Sequence, residues 1–205
     1  LPALVAAAFL ILISFSPACT EEKPAGPALR SRVAAVRDTA PAVSPESWCE
    51  VYFNPSEAPR FELPPLAQDA TGGGVPVISA DRWVWLNLWA TWCGPCIREM
   101  EVLSRWKENL NRDGVKIDFW FLSLDEEVPV LSQFLQAHKG VPPGKQFRVA
   151  AVKDMEAWFK LYKLDSSTAI PIQVLSAPGG KVRCVRVGGL NEVDYRMVRS
   201  LLQKP

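Results

Sequence analysis

Two cysteines three residues apart offer the clearest chemistry in the chain. Cys93 and Cys96 stand in the run Trp92-Cys93-Gly94-Pro95-Cys96. On the first turn of a helix, this spacing brings two sulfurs within bonding distance. The first sulfur sits at the helix N-terminus, where unpaired N–H groups and the positive dipole end favour a thiolate. A thiolate is the attacking species in thiol–disulfide exchange, so such a site is reactive near neutral pH. Exposure assigns the roles. Cys93, at the tip, attacks a partner disulfide, and Cys96, one turn in, resolves the mixed disulfide. Pro95 is tolerated because the first helical turn needs no donor there. The competing chemistry is half of a zinc site, which requires a second Cys/His pair at ligand spacing. Cys49, Cys184 and His138 are isolated, so no metal site is expected.

A strand must deliver Cys93, and a helix must follow it. Residues 83–89 form a continuous apolar run, as in a sheet centre covered on both faces. Ile97, Met100, Leu103, Trp106 and Leu110 recur at spacings of three and four, which predicts a helix over 96–110. Residues 75–78 and 117–124 read as strands. Asp125 is expected to cap a helix with Glu126 and Glu127 in its first turn and Val130, Phe134 and Leu135 inward. Residues 147–152 read as a strand. Asp154 is expected to cap a helix bearing Met155, Trp158, Phe159 and Tyr162. Residues 172–175 and 182–187 predict a hairpin around Ala177-Pro178-Gly179-Gly180. Asn191 is expected to cap a last helix with Val193, Met197, Val198, Leu201 and Leu202 inward. The fold class is therefore α/β. No Lys-Ser/Thr follows Gly72-Gly73-Gly74, so this run reads as a hairpin turn and not a phosphate loop.

The 205 residues suit one domain plus extensions, and 48 % hydrophobic with 22 % charged is a globular composition. A net charge of +1 supplies no general attraction to phosphate, which argues against a nucleic-acid partner. Residues 3–13 are almost wholly apolar. That is short of the roughly 20 residues of a spanning helix and fits a signal-peptide core, with a basic leader expected ahead of Leu1. The run ends in Phe15-Ser16-Pro17-Ala18-Cys19. This resembles a bacterial lipoprotein cleavage box, with Cys19 as the acylated new terminus, although Ser16 and Pro17 depart from the usual box. A plain secretory signal is the alternative. Residues 21–45, with Pro24, Pro27, Pro41 and Pro45, sustain no apolar face and read as a tether spanning on the order of 30 Å. The expected organisation is a signal peptide at 1–18, a tether at 19–47 and a folded domain at 48–205.

The segment from Leu86 to Met100, Leu-Asn-Leu-Trp-Ala-Thr-Trp-Cys-Gly-Pro-Cys-Ile-Arg-Glu-Met, resembles the active-site segment of the TlpA/ResA-like thioredoxins. The resemblance continues in residues 58–66, in Ile170-Pro171 and in the turn Pro178-Gly179-Gly180-Lys181. It implies a thioredoxin-like fold: a central mixed sheet flanked by helices, with an N-terminal strand extension. It further implies an exported, membrane-tethered thiol–disulfide oxidoreductase with no bound cofactor. Its partners would be disulfide-bearing proteins and a membrane electron donor, in the periplasmic or other extracytoplasmic space. Pro171 would be cis and face the cysteines, with the Ile170 backbone pairing with substrate; a strand-edge proline is the alternative. Glu99 matches the acidic residue of the reducing, cytochrome-c-maturation branch, where it tunes cysteine pKa or moves a proton. A helix-dipole partner is the alternative. Asn87 stands where cytoplasmic thioredoxins carry a buried Asp, and its presence strengthens the case for Glu99. Glu101 replaces the usual proline after Glu-Met, and Ile172-Gln173 replaces the usual Thr-Thr. The first change should leave the helix less kinked. The second weakens any inference about substrate.

Cys49 and Cys184 form a structural bridge on one reading and are two inert thiols on the other. His138 reads as a surface helix end, and residues 139–146 as a loop. Trp92 is expected on an apolar docking surface around Cys93, and Arg183 and Arg186 on a solvated strand face. The favoured direction is reduction of a partner. A disulfide oxidant or isomerase, and a thiolate copper chaperone with Met100 as the nearest further ligand, remain as rivals.

Overall fold

The computed structural model describes residues 44–68 and 76–203. The signal peptide, most of the tether, Cys19 and the glycine run at 72–74 lie outside the described residues. Four strands make the body of the sheet. β2 (Trp83–Trp89) is buried at every position. Its neighbours are β3 (Ile117–Ser123) and β5 (Ile172–Ala177). β6 (Lys181–Val187) pairs with β5 through the Pro178-Gly179-Gly180 turn. Two short strands, β1 (Val51–Tyr52) and β4 (Lys145–Arg148), complete the order β1-β6-β5-β2-β3-β4. β2, β3 and β4 run parallel, while β5 is antiparallel to β2, so the sheet is mixed.

Parallel strands need crossovers, and helices supply them. α1 (Gly94–Arg112) joins β2 to β3 and buries Cys96, Glu99, Met100, Leu103, Trp106 and Leu110. It runs unbroken through Glu101 for its full 19 residues. Strand alternation puts Trp85, Asn87 and Trp89 on the sheet face that α1 covers. Trp85 meets Trp106 of α1 at 5.9 Å, Trp48 at 6.3 Å, and stacks on Phe119 of β3 at 5.4 Å. Each such pair contributes about 0.5–1.5 kcal/mol beyond area burial. On the other face, Trp120 of β3 packs edge-on against Phe61 and Phe147. α2 (Val128–Ala137), α3 (Glu156–Leu161) and α4 (Tyr195–Leu202) complete the layers.

Several local expectations are corrected. Residues 76–78 form no strand, and Val77 is exposed. α2 starts after Glu127 rather than at Asp125; Leu131 is its buried residue and Val130 is exposed. β4 is shifted to 145–148 from the expected 147–152. Asp154 does not cap a helix. It sits in a 3-10 turn, Val152–Met155, that leads into α3. Asn191 likewise opens a 3-10 turn, Glu192–Asp194, ahead of α4, and Val193 points to solvent. Arg186 is not simply solvated, because it lies over the Trp48 ring and donates to the Trp48 carbonyl at 3.1 Å. Asn191 still caps, closing a capping box with Asp194, but on the 3-10 turn rather than on α4 itself.

Candidate active site

Local sequence sets the mouth of the site. After β2, a turn closes with the Cys93 N–H donating to the Ala90 carbonyl at 3.0 Å. Cys93 is the N-cap of α1, and Gly94 and Pro95 are its first helical residues. Cys93 and Cys96 are disulfide-bonded, with sulfurs 1.97 Å and Cα atoms 5.3 Å apart. The Cys96 N–H points at the Cys93 sulfur at 3.2 Å, so a backbone donor already faces the atom that would carry the thiolate. Cys93 keeps 5 % of its surface exposed and Cys96 none, which orders them as attacker and resolver. The Ile170 carbonyl lies 3.8 Å from the Cys93 sulfur, and the Ile170–Pro171 bond is cis. An open groove of about 510 Å³ runs beside Cys93, past Trp92, Pro95, Leu124, Phe159 and Ile170. Among the described residues no charged side chain lines it, and Trp92 is 69 % exposed.

Behind the disulfide lies a buried polar cluster. Glu99 is 2 % exposed and stands in the second turn of α1, beyond the first-turn N–H groups that a dipole partner would serve. Its Oε1 accepts from Asn87 Nδ2 at 2.7 Å and from Gln173 Nε2 at 2.8 Å. Its Oε2 accepts from the Leu190 N–H at 3.0 Å. Burial pushes the carboxyl up to about 7, against these three donors, which pull it down. A carboxyl raised this far suits proton exchange near neutral pH.

Residues 55–185 match the AhpC/TSA family. The chain belongs to the AhpC/TSA family. Among curated proteins, the thiol-disulfide oxidoreductase ResA of Oceanobacillus iheyensis is 28 % identical over 142 residues, covering 69 % of this chain and 68 % of ResA. The crystal structure of a DsbF homologue from Corynebacterium diphtheriae aligns with a TM-score of 0.56 at 18 % identity. It covers 73 % of this chain and 91 % of that one, and it speaks for the fold alone. A thioredoxin-related protein from Neisseria meningitidis serogroup B is 25 % identical over 61 % of this chain and 87 % of its own, with a TM-score of 0.49. Family, fold and dithiol together make this AhpC/TSA member a thiol–disulfide oxidoreductase of thioredoxin type.

In this AhpC/TSA chain, Trp92, Cys93, Gly94, Pro95 and Ile170 line the groove, Cys96 is bonded to Cys93 out of solvent, and Asn87 donates to the buried Glu99. Cys49 and Cys184 lie apart from them, bonded to each other at 1.99 Å between the segment before β1 and β6. His138 ends α2, exposed and stacked on Phe134. Met100 is fully buried in the core. Among the described residues, no group of three or more His, Cys, Asp or Glu gathers in a metal-ligating arrangement.

Sequence reasoning missed two residues. Gln173, noted only as a departure from the family, is fully buried against Glu99. Asp125, taken for a helix cap, accepts from the Thr91 N–H at 3.0 Å and the Thr91 hydroxyl at 2.6 Å. It thereby fixes the turn that carries Trp92 and Cys93. A lone polar residue in an apolar strand was the available signal for Gln173. Asp125 gave no such signal, because its partner lies 34 residues away.

Proposed function

We propose that this oxidoreductase reduces disulfides of partner proteins outside the cytoplasm, tethered to a membrane through a lipid on Cys19. The observation that carries the reading is the Cys93–Cys96 pair at the N-terminus of α1, beside an open apolar groove. In the reduced protein the Cys93 thiolate attacks one sulfur of the partner disulfide. The S–S bond breaks, and the departing partner sulfur takes a proton. The Cys96 thiolate then attacks the Cys93 sulfur, releasing the second partner sulfur, which is also protonated. The partner gains two electrons and two protons, and the protein is left with its own disulfide. Glu99, as carboxylate, accepts the Cys96 proton; its burial and its carboxyl raised to about 7 support this role. The Ile170 carbonyl and cis-Pro171 flank the approach to Cys93, where an extended substrate backbone pairs.

The Gly94-Pro95 dipeptide and the family resemblance favour reduction over oxidation. A membrane electron donor restores the dithiol. The apolar run at 3–13 and the second disulfide, Cys49–Cys184, support an oxidising compartment. The experiment that tests the reading is the reduction potential of Cys93–Cys96, equilibrated against graded thiol/disulfide buffers. A value near about −270 mV is expected of a reductant; a value near about −120 mV would make the protein a disulfide donor instead. Labelled fatty acid should enter the wild-type chain and not Cys19→Ala; equal labelling would remove the lipid anchor from the reading.

A further inference from the structure

We propose that Gln173 is a positioning residue that holds the Glu99 carboxyl in place and sets its affinity for a proton. Asn87 of β2 and Gln173 of β5 are direct neighbours in register, and both are fully buried. The amide of Gln173 has only one workable orientation. Its Oε1 receives Trp85 Nε1 at 2.8 Å and Asn87 Nδ2 at 2.8 Å. The indole N–H is a donor with no acceptor capacity. Turning the amide over would set an NH₂ group against it. Gln173 is thus locked with Nε2 toward Glu99 Oε1, at 2.8 Å. It can offer that carboxyl only a donor, and a donor favours the ionised form.

The geometry isolates this influence. β2 presents Asn87 to Glu99, β5 presents Gln173, and the turn after β6 presents the Leu190 N–H. All three are neutral, and no charge acts on Glu99 among the described residues. Its own helix also carries Arg98, Glu101, Arg105, Glu108 and Arg112, all exposed, and half-buried Lys107, with Cys93 and Cys96 at its N-terminal end. Burial lifts the carboxyl toward its protonated form, and the three N–H groups oppose that lift. Removing the Gln173 donor leaves burial less opposed. The consequence for catalysis rests on the reading above, in which Glu99 serves the dithiol.

The test reads the carboxyl directly. The Glu99 Cδ resonance of the intact oxidised chain is followed against pH by carbon NMR and assigned by its loss in Glu99→Gln. In Gln173→Leu the midpoint should move up by about one pH unit, a roughly tenfold tighter hold on the proton. Gln173→Met keeps the length of the side chain without a donor, and it should also raise the midpoint. If Gln173→Leu fails to fold, Gln173→Met decides alone. A midpoint that does not move in the folded variants overturns the proposal. The pH profile of Cys93 alkylation in the reduced protein provides a second readout. Gln173→Leu should shift it in the wild-type background and leave it unchanged in the Glu99→Gln background. An equal shift in both backgrounds would make Gln173 a packing residue and overturn the proposal. A Glu99→Gln chain with the wild-type profile would instead sink the reading of Glu99, and the separate carboxyl titration tells these two failures apart.

Discussion

Cys93 and Cys96 share one bond but not one environment. One sulfur faces the groove and the other is sealed beneath the first turn of α1. Cys96→Ser should therefore leave attack intact and remove release, so a mixed disulfide with substrate accumulates and turnover stops. Cys93→Ser should form no adduct; non-reducing electrophoresis after mixing with a disulfide-bearing protein separates the two outcomes. Glu99 makes a second prediction, for stability. Its folded carboxyl holds a proton up to about pH 7, against an ordinary value of 4.5. Between those values the folded chain binds more protons than the unfolded one, so stability falls as pH rises through that window. The full cost above it is on the order of 3 kcal/mol. Urea denaturation with disulfides intact should show wild type losing stability between pH 5 and pH 8, and Glu99→Gln losing clearly less. Parallel pH profiles for the two chains would refute this.

Elements reach the site through few contacts, and Asp125 is one of them. At the end of β3 it accepts from Thr91, at the end of β2, and from the Ser123 hydroxyl at 2.7 Å. Asp125→Ala would leave buried donors unpaired, at a cost of about 1–3 kcal/mol. Turnover should fall severalfold, because Cys93 loses the anchor of its turn. Asp125→Asn keeps an acceptor and should recover most of both. Thermal melts and reductase rates check this, and an unaffected Asp125→Ala would remove Asp125 from the machinery. The same residue shows what a sequence conceals. The dithiol was legible because a strand, two cysteines at helical spacing and an apolar 3/4 pattern are all local. The central strands were legible because burial on both faces leaves mostly apolar runs in β2 and β3, interrupted only by Asn87 and Asp118 before Ser123. The partners of Asp125 and Gln173 were not, because β-sheet order sets them. Gln173 must be buried only once β5 is known to lie between β2 and β6. Short edge elements such as β1 and β4 draw their register from neighbours and were misplaced or unseen.

Across the whole folded domain, the segment ahead of β2 behaves as a strap. It pairs with β6 at β1, and the Phe61 N–H reaches the Gly180 carbonyl at 2.8 Å. Glu62 then meets the Tyr162 hydroxyl at 2.8 Å and Trp158 Nε1 at 2.9 Å. Beyond that, Ala67 donates to the Arg148 carbonyl at 2.8 Å, at the end of β4. The strap thus reaches both edges of the sheet and pairs part of the backbone that would otherwise be open to another chain. Cys49–Cys184 locks its leading end across a separation of 135 residues. Cys49→Ala with Cys184→Ala should lower stability by about 2–5 kcal/mol and leave the reactivity of Cys93 as it was. Chemical denaturation and alkylation rates read the two effects separately, and unchanged stability would count against a structural bridge.

The position of that bridge also determines how the domain takes a mechanical load. A pull on the chain ahead of residue 44 reaches Cys49 before it reaches β1, and there it passes through sulfur directly into β6. The two residues of β1, which alone would peel like a zip one hydrogen bond at a time, are shielded by a covalent rivet. Forced-unfolding traces with the pull applied at the amino-terminal end should show one high-force rupture of the sheet in the oxidised protein. After reduction of Cys49–Cys184, an earlier low-force peeling step should precede it.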